Sequence, residues 1–362
     1  MPETKAIREL RRIFHKAIDP LSALFEAVPQ RLHDHQFYRH VRVTEGKQAI
    51  QQGKLAIYLL YQPHGLLPST HLTVSHLAKK NYSVVAVSNA PLSEQAREEL
   101  LSAVALLVER PNYGHDFGGY RDGLRVLRDR DIVPSRILFL NDSVWYPLSA
   151  SETLLEELEH ATEGMTGPMF ERKLGRSHSG HFESYMMMVG HQGLTSPAFS
   201  NFWQSYRMSS TRRKVLLRGE KGFSRALLDE GVPSKVLASR QAFADAIENA
   251  SGKFLEEAIN YAEHDSPHHE QRRRSLLSMN SAEGGNMSLI RDHILDVSKT
   301  ASIQEAFPLA SMRIFNLPFL KKRQTATSVA MRRVYLRAID NGLLGEPDPQ
   351  ILREIQDLTP KL

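Results

Sequence analysis

The chain contains no cysteine. That excludes disulfides, thiolate metal sites and cysteine nucleophiles, and it fits a reducing compartment. Long hydrophobic runs are also missing. No stretch approaches the roughly 20 apolar residues of a membrane-spanning helix. The opening Met1-Pro2-Glu3-Thr4-Lys5 lacks the apolar centre of a signal peptide. Neither a Gly-x-Gly-x-x-Gly fingerprint nor a Gly-Lys-Ser/Thr loop occurs, so the common dinucleotide and P-loop readings fail. The charge excess is small, +5 at pH 7, a balance that serves solubility. Arg272-Arg273-Arg274 has neither stacking aromatics nor a recognition fold beside it, so no nucleic-acid partner is expected.

What is present is an ordinary soluble composition: 41% hydrophobic and 24% charged over 362 residues, enough for a real core in one large domain or two. From Ile7, apolar residues recur at Leu10, Phe14, Ile18, Leu21, Phe25 and Val28. This spacing predicts an amphipathic helix with Lys5, Arg8, Arg12 and Lys16 off the stripe. Such a helix either docks on the domain or rests on an anionic membrane surface. Four short apolar runs follow, Leu55–Tyr61, Tyr82–Val87, Ala105–Glu109 and Arg136–Asn141, each separated by a helical pattern. Unalternating strands divided by helices predict a parallel sheet covered by helices on both faces. Ser93 is placed to cap the second of these helices, and Ser149 with Glu152 has capping-box spacing for a helix to about His160. Gly164 to Gly180 reads as a long loop, and Ala250 to Gly285 as a mobile polar insertion. His264, His268 and His269 lie in that stretch without the spacing of a helical metal motif, and read as solvated. Beyond it the pattern is helical to the C-terminal end.

Chemistry is expected where strands end. The stretch Glu109-Arg110-Pro111-Asn112-Tyr113-Gly114-His115-Asp116-Phe117-Gly118-Gly119-Tyr120-Arg121-Asp122 breaks a buried run into glycines, carboxylates and an arginine suited to phosphate. The next strand ends in Asn141-Asp142-Ser143, where one carboxylate between neutral oxygens leaves room for a divalent cation, magnesium or manganese, bound to a diphosphate.

These two stretches, continued through Val144-Trp145-Tyr146-Pro147-Leu148, resemble the rhamnan synthesis F family. His181-Phe182-Glu183-Ser184-Tyr185 resembles its His-x-Gln-Ser-Tyr element, with Glu183 at the amide position. Phe199–Trp203 and Pro318-Phe319-Leu320-Lys321 are similar to later elements, so that the likeness runs from about Ala56 to Arg323. The resemblance implies a GT-A-like glycosyltransferase of bacterial surface-polysaccharide assembly, using a nucleotide-sugar donor and a saccharide or lipid-linked acceptor. With the periodicity above, the chain then divides into an N-terminal amphipathic helical segment over 1–50, a GT-A-like nucleotide-sugar and acceptor domain over 51–250, and a mostly helical region over 251–362 that carries the mobile polar insertion. Gln62, His64, Ser88 and Asn89 would then face the nucleoside. Asn112, Gly114, Asp116 and Arg121 would lie near the diphosphate or sugar, and Asn141, Asp142 and Ser143 near the donor, with Asp142 the metal ligand. Asp116, Glu183 and His181 are the candidates for a general base. The expected place is the cytoplasm, with peripheral contact at the inner membrane through the basic N-terminal helix. The competing class is a noncatalytic nucleotide-sugar- or carbohydrate-binding protein on the same fold.

Overall fold

The computed structural model describes residue 26 and residues 28–172, 180–280 and 287–360. The amphipathic stripe from Ile7 to Phe25 lies outside the described residues. Four strands carry the predicted runs: β2 (Lys54–Leu60), β3 (Ser83–Ser88), β4 (Leu106–Glu109) and β5 (Arg136–Asn141), with β1 (Arg42–Glu45) before them. After them come β6 (Val144–Trp145), β7 (Met165–Arg172), β8 (Gly180–Phe182), β9 (Met186–Val189), β10 (Ser234–Ala238) and β11 (Leu320–Lys321). The main sheet runs β1-β4-β3-β2-β5-β9-β7-β10, with β8 attached to β7. β2, β3, β4 and β5 are mutually parallel where they pair, while β1 and β9 are antiparallel to their neighbours.

The central strand shows why its sequence does not alternate. Leu55, Ile57 and Leu59 enter one core with Phe117, Tyr120 and Trp203, while Ala56, Tyr58 and Leu60 enter another with Val74, Ile294 and Met331. Both faces of β2 are dry, so every position is apolar. The second core reaches from β2 to Ile355 in the last helix, so the C-terminal helices close one face of the sheet.

Several expectations change. Residues 164–180 are not one long loop, because β7 occupies their first half. Gly167 sits in that strand because a Cβ there would come within 2.7 Å of the Phe182 ring. The helix after Ser149 begins only at Leu154. Glu152 turns inward instead, accepting from the Tyr146 hydroxyl at 2.7 Å and from the Leu154 amide at 2.6 Å. Residues of the polar stretch 250–285 form helices Gly252–Asn260 and Pro267–Asn280. Within that stretch His264 is buried and meets His293 at 3.2 Å, so it is not solvated. Arg273 and Arg274 pair with Glu270. Residues 42–45, expected within an N-terminal helical segment, form an edge strand of the main sheet. Among the described residues, no helix is long and apolar enough to cross a membrane.

Candidate active site

The chain steps from β2 outward to β3 and β4 and then returns to place β5 on the other side of β2. That reversal opens a crevice at the carboxyl ends of β2 and β5, where ligands bind in open parallel sheets. Asp142 sits in it. Its Oδ2 accepts from the Tyr61 amide at 2.8 Å and from the Gln62 side-chain nitrogen at 3.0 Å. Gln62 is otherwise occupied: the same nitrogen meets Thr70 Oγ1 at 2.8 Å, and its Oε1 accepts from the Leu67 amide at 2.8 Å. It orients Asp142 and has little left for a nucleoside. Beside it, Asn141 Oδ1 accepts from the Ser143 amide at 3.1 Å, and Asn141 Nδ2 donates to Asp116 Oδ2 at 3.2 Å.

Asp116 lies in the first turn of helix His115–Asp129, after Gly114 at φ 81°. The left-handed backbone and the approach of Gly118 Cα to within 3.0 Å of any added Cβ explain the glycine there. Burial raises the pKa of Asp116, and the neighbouring Asp142 raises it further. Burial likewise raises Asp142, against the opposing pull of the Tyr61 amide and Lys322. Two desolvated carboxylates thus lie close together.

Positive charge arrives from far along the chain. β11 pairs antiparallel with β6, Leu320 opposite Trp145 and Lys321 opposite Val144. The Lys322 amide then donates to the Ser143 carbonyl at 2.8 Å. The Lys322 ammonium meets Ser69 Oγ at 3.0 Å, and its pKa is lowered by burial. Lys321 is buried and pairs with Glu183 at 3.2 Å and Glu305 at 3.5 Å, which outweigh burial and raise its pKa. Arg323 stays exposed and is felt electrostatically by Asp116. Arg332, fully buried, fastens this strap through the carbonyls of Lys321 and Arg323 at 3.0 and 2.7 Å. Glu354 of the last helix, Pro349–Asp357, accepts from the Ser69 amide at 2.8 Å and from Trp145 Nε1 at 2.7 Å, and stands 3.9 Å from the Lys322 ammonium.

The opposite wall is His181, Glu183 and Ser184 together with Glu220. Ser184 Oγ donates to Glu220 Oε1 at 2.7 Å, and His181 Nε2 stands 3.6 Å from Glu220 Oε2. Burial lowers the His181 pKa to about 4, and Lys221 adds to the effect. His181 is therefore neutral at pH 7.

Of the residues singled out in the sequence, the structure brings together Asp116, Asn141, Asp142, Ser143 and Gln62, with Glu183 and His181 on the facing wall. The others are placed differently. Arg121 turns away and grips Asp34 with both terminal nitrogens, at 2.7 and 2.9 Å. Ser88 is buried and donates to the Ala90 carbonyl at 2.7 Å. Asn89 Oδ1 accepts from Arg110 at 2.6 Å, and Arg110 in turn holds Asp122 at 2.6 Å in a fully buried pair. Arg121, Ser88 and Asn89 are thus taken up by partners within the fold. Asn112 and His64 are exposed. The expected glycine-rich turn is largely the start of a helix, and Gly119 lets it lie against Leu59, which an added Cβ would strike at 2.2 Å. Lys322, Arg323 and Glu220 join the site only through the fold. The Pro-Phe-x-Lys element was the one signal for the first two, and nothing local marks Glu220.

Among the described residues, no three His, Asp or Glu side chains stand together as a metal cage. Asp142 and the Ser143 hydroxyl oxygen fit a hard cation shared with a diphosphate, and do not fit one held by the protein alone, because Asn141 Oδ1 already accepts from the Ser143 amide and hydroxyl.

Known proteins resemble the chain to different degrees. Two solved structures are similar over 83% of this chain and 99% of theirs, at 12% identity: the galactosyltransferase LgtC in complex with donor and acceptor sugar analogs, TM-score 0.33, and an active-site mutant of LgtC, TM-score 0.32. Likeness of that degree carries no argument about the site. The uncharacterized protein y4gN of Sinorhizobium fredii (strain NBRC 101917 / NGR234) is 28% identical over 313 residues, 86% of this chain and 81% of that protein. The rhamnan synthesis protein F family matches residues 84–272, more than half of the chain. That span takes in Asp116, the end of β5 with Asn141 and Asp142, and the wall of Glu183 and Glu220, while β2, Gln62, Lys322 and Arg323 lie outside it; matched over more than half its length, the chain belongs to the rhamnan synthesis protein F family.

Proposed function

We infer that the chain is a glycosyltransferase of polysaccharide synthesis, moving a sugar from a nucleotide-sugar donor to a saccharide or lipid-linked acceptor, with rhamnose the first donor to test. The observation that carries this reading is the crevice itself. Two desolvated carboxylates, Asp116 and Asp142, face a strap bearing Lys322 and Arg323 at a topological switch point.

The reaction displaces a nucleoside diphosphate from an anomeric carbon. Charge builds on the departing diphosphate, and fixed cations placed there lower the barrier. Lys322 and Arg323 supply them. Asp142, with Asn141 and Ser143, faces the donor, and a divalent cation bound there would share the diphosphate's charge. Asp116, held by Asn141, is placed to accept from a donor-sugar hydroxyl. The basic stripe of Lys5, Arg8, Arg12 and Lys16 supports a cytoplasmic protein resting on an anionic inner-membrane face.

The test is nucleoside diphosphate release from a panel of nucleotide sugars, with and without magnesium or manganese, for the wild type and Asp142→Ala. Release from one donor, reduced at least 100-fold in the variant, is the expected result. The end of β5 offers Asn141-Asp142-Ser143, a single carboxylate where two would grip a metal more firmly. That favours one rival, a noncatalytic nucleotide-sugar-binding protein. Donor binding by calorimetry without release, in the presence of saccharide acceptors, would establish that rival instead.

A further inference from the structure

We propose that Glu220 takes the proton from the acceptor hydroxyl during transfer, with Ser184 as its positioning residue. This rests on the transferase reading above. Glu220 closes a π-helical turn, Leu216–Glu220, set between helices Arg212–Val215 and Lys221–Asp229. Such turns are rare and frequently mark functional sites. Here the turn has a visible consequence. Gly219 is pressed so closely on Phe117 that a Cβ would lie 2.5 Å from the ring. That contact sets the π turn against the first turn of helix His115–Asp129, the turn that carries Asp116.

The carboxylate is held on one side and reaches solvent on the other. Ser184 donates to Oε1 at 2.7 Å, and Ser184 is itself buried and fixed by Tyr120, whose hydroxyl donates to the Ser184 carbonyl at 2.8 Å. His181 Nε2 lies 3.6 Å from Oε2, and the Glu220 side chain is 17% exposed. The groups around it are Asp116 from the facing helix, His181 and Glu183 from the end of β8 onward, Lys221 next in its own helix, and Arg323 from the strap. Among the described residues no lysine or arginine lies within ion-pair distance of it. Glu183 is paired with Lys321, while Asp142 and Asp116, accepting from Tyr61 and Gln62 and from Asn141, lie on the donor side of the crevice. Burial, followed by Glu183 and Asp116, pushes the Glu220 carboxyl up to about 7, near the pH at which a general base is most effective.

The step balances. The acceptor oxygen forms its bond to the anomeric carbon and gives its proton to Glu220. The bond from that carbon to the phosphate oxygen breaks, and its electron pair leaves with the nucleoside diphosphate.

The experiment follows transfer rate against pH for the wild type, Glu220→Gln and Ser184→Ala, with donor affinity measured alongside. The wild-type rate should rise with pH along a limb centred near 7. Glu220→Gln should lose about 100-fold or more in transfer, lose that limb, and bind donor within threefold of the wild type. Ser184→Ala removes a bond to the ionised form, so its limb should move to higher pH with the plateau retained. This variant decides the matter if Glu220→Gln fails to fold. Transfer by Glu220→Gln within threefold of the wild type, or an unmoved limb in Ser184→Ala, overturns the assignment while leaving the transferase reading intact. Absence of wild-type turnover, with donor bound, overturns the transferase reading and this assignment with it.

Discussion

Glu220 and His181 pull the pH dependence of folding in opposite directions. Glu220 titrates at about 7 in the fold against an ordinary 4.5. Between those values the native state binds more protons than the unfolded chain, so stability falls as pH rises. His181 titrates at about 4 against 6.5. There the unfolded chain binds more protons, and stability falls as pH drops through that window. Between about pH 4.5 and 6.5 the two slopes cancel, so denaturant unfolding should show a flat top there and fall on either side. Replacing Glu220 by Gln should remove the alkaline decline, worth up to about 3 kcal/mol on a shift of this size. An unchanged difference between pH 5 and pH 8 would contradict it. A second residue-scale prediction concerns Arg110. It neutralises Asp122 in a pair with no exposed surface, and His33 meets the same carboxylate oxygen at 3.0 Å. Arg110→Ala should cost about 3–5 kcal/mol, because it strands a buried charge. Adding Asp122→Asn should recover part of that loss in a double-mutant cycle. Neither residue was legible as structural in the sequence, because an acid and an arginine after a strand look the same whether they meet a ligand or each other.

Two elements decide the site's shape. Helix His115–Asp129 starts abruptly and lies flat on the sheet, and Gly118 permits its first turn: a Cβ there would sit 2.2 Å from the Tyr113 carbonyl oxygen. A backbone atom cannot step aside as a side-chain tip can. Gly118→Ala should therefore lower stability by about 1–3 kcal/mol and disturb Asp116 two residues earlier, read as a lower melting temperature together with weaker donor binding. The strap is the other element. Arg332 touches no part of the crevice directly, yet it holds the carbonyls on either side of Lys322. Arg332→Ala should weaken donor binding about tenfold or more, and Arg332→Lys should not restore it, since one ammonium cannot replace a planar fork. Binding unchanged in Arg332→Ala would show that the strap keeps its place without it. Elements differed in how visible they were. The four parallel strands announced themselves because both faces are buried. β7 stayed hidden because Gly167 and Pro168 read as breakers. Helix Pro267–Asn280 stayed hidden because its apolar residues trace no stripe for periodicity to find.

At the scale of the whole molecule, the sheet and the C-terminal helices share one core that runs from Ala56 to Ile355. A chain cut after residue 250 would expose the inner face of that core, including Tyr58, Leu60, Val74 and Leu77, which Ile294, Phe307 and Met331 now share. It should lose cooperative unfolding and bind a hydrophobic dye. A sharp melting transition in the truncated chain would show the division at 250 to be a true domain boundary. The class of the fold, the four parallel strands, the end of β5 beside Asp142 and the glycine-rich stretch that holds Asp116 are legible in the sequence alone, because hydrophobic period and strand-end chemistry are local properties. Its motifs also carried the family. The tertiary structure decided what faces those carboxylates. Lys322 and Arg323 arrive about 180 residues after Asp142, through the pairing of two-residue strands, and Glu220 arrives through a π turn pressed on Phe117. It also decided that Arg121, Ser88 and Asn89 serve the fold, since a polar side chain's partner is set by packing and not by its neighbours in sequence.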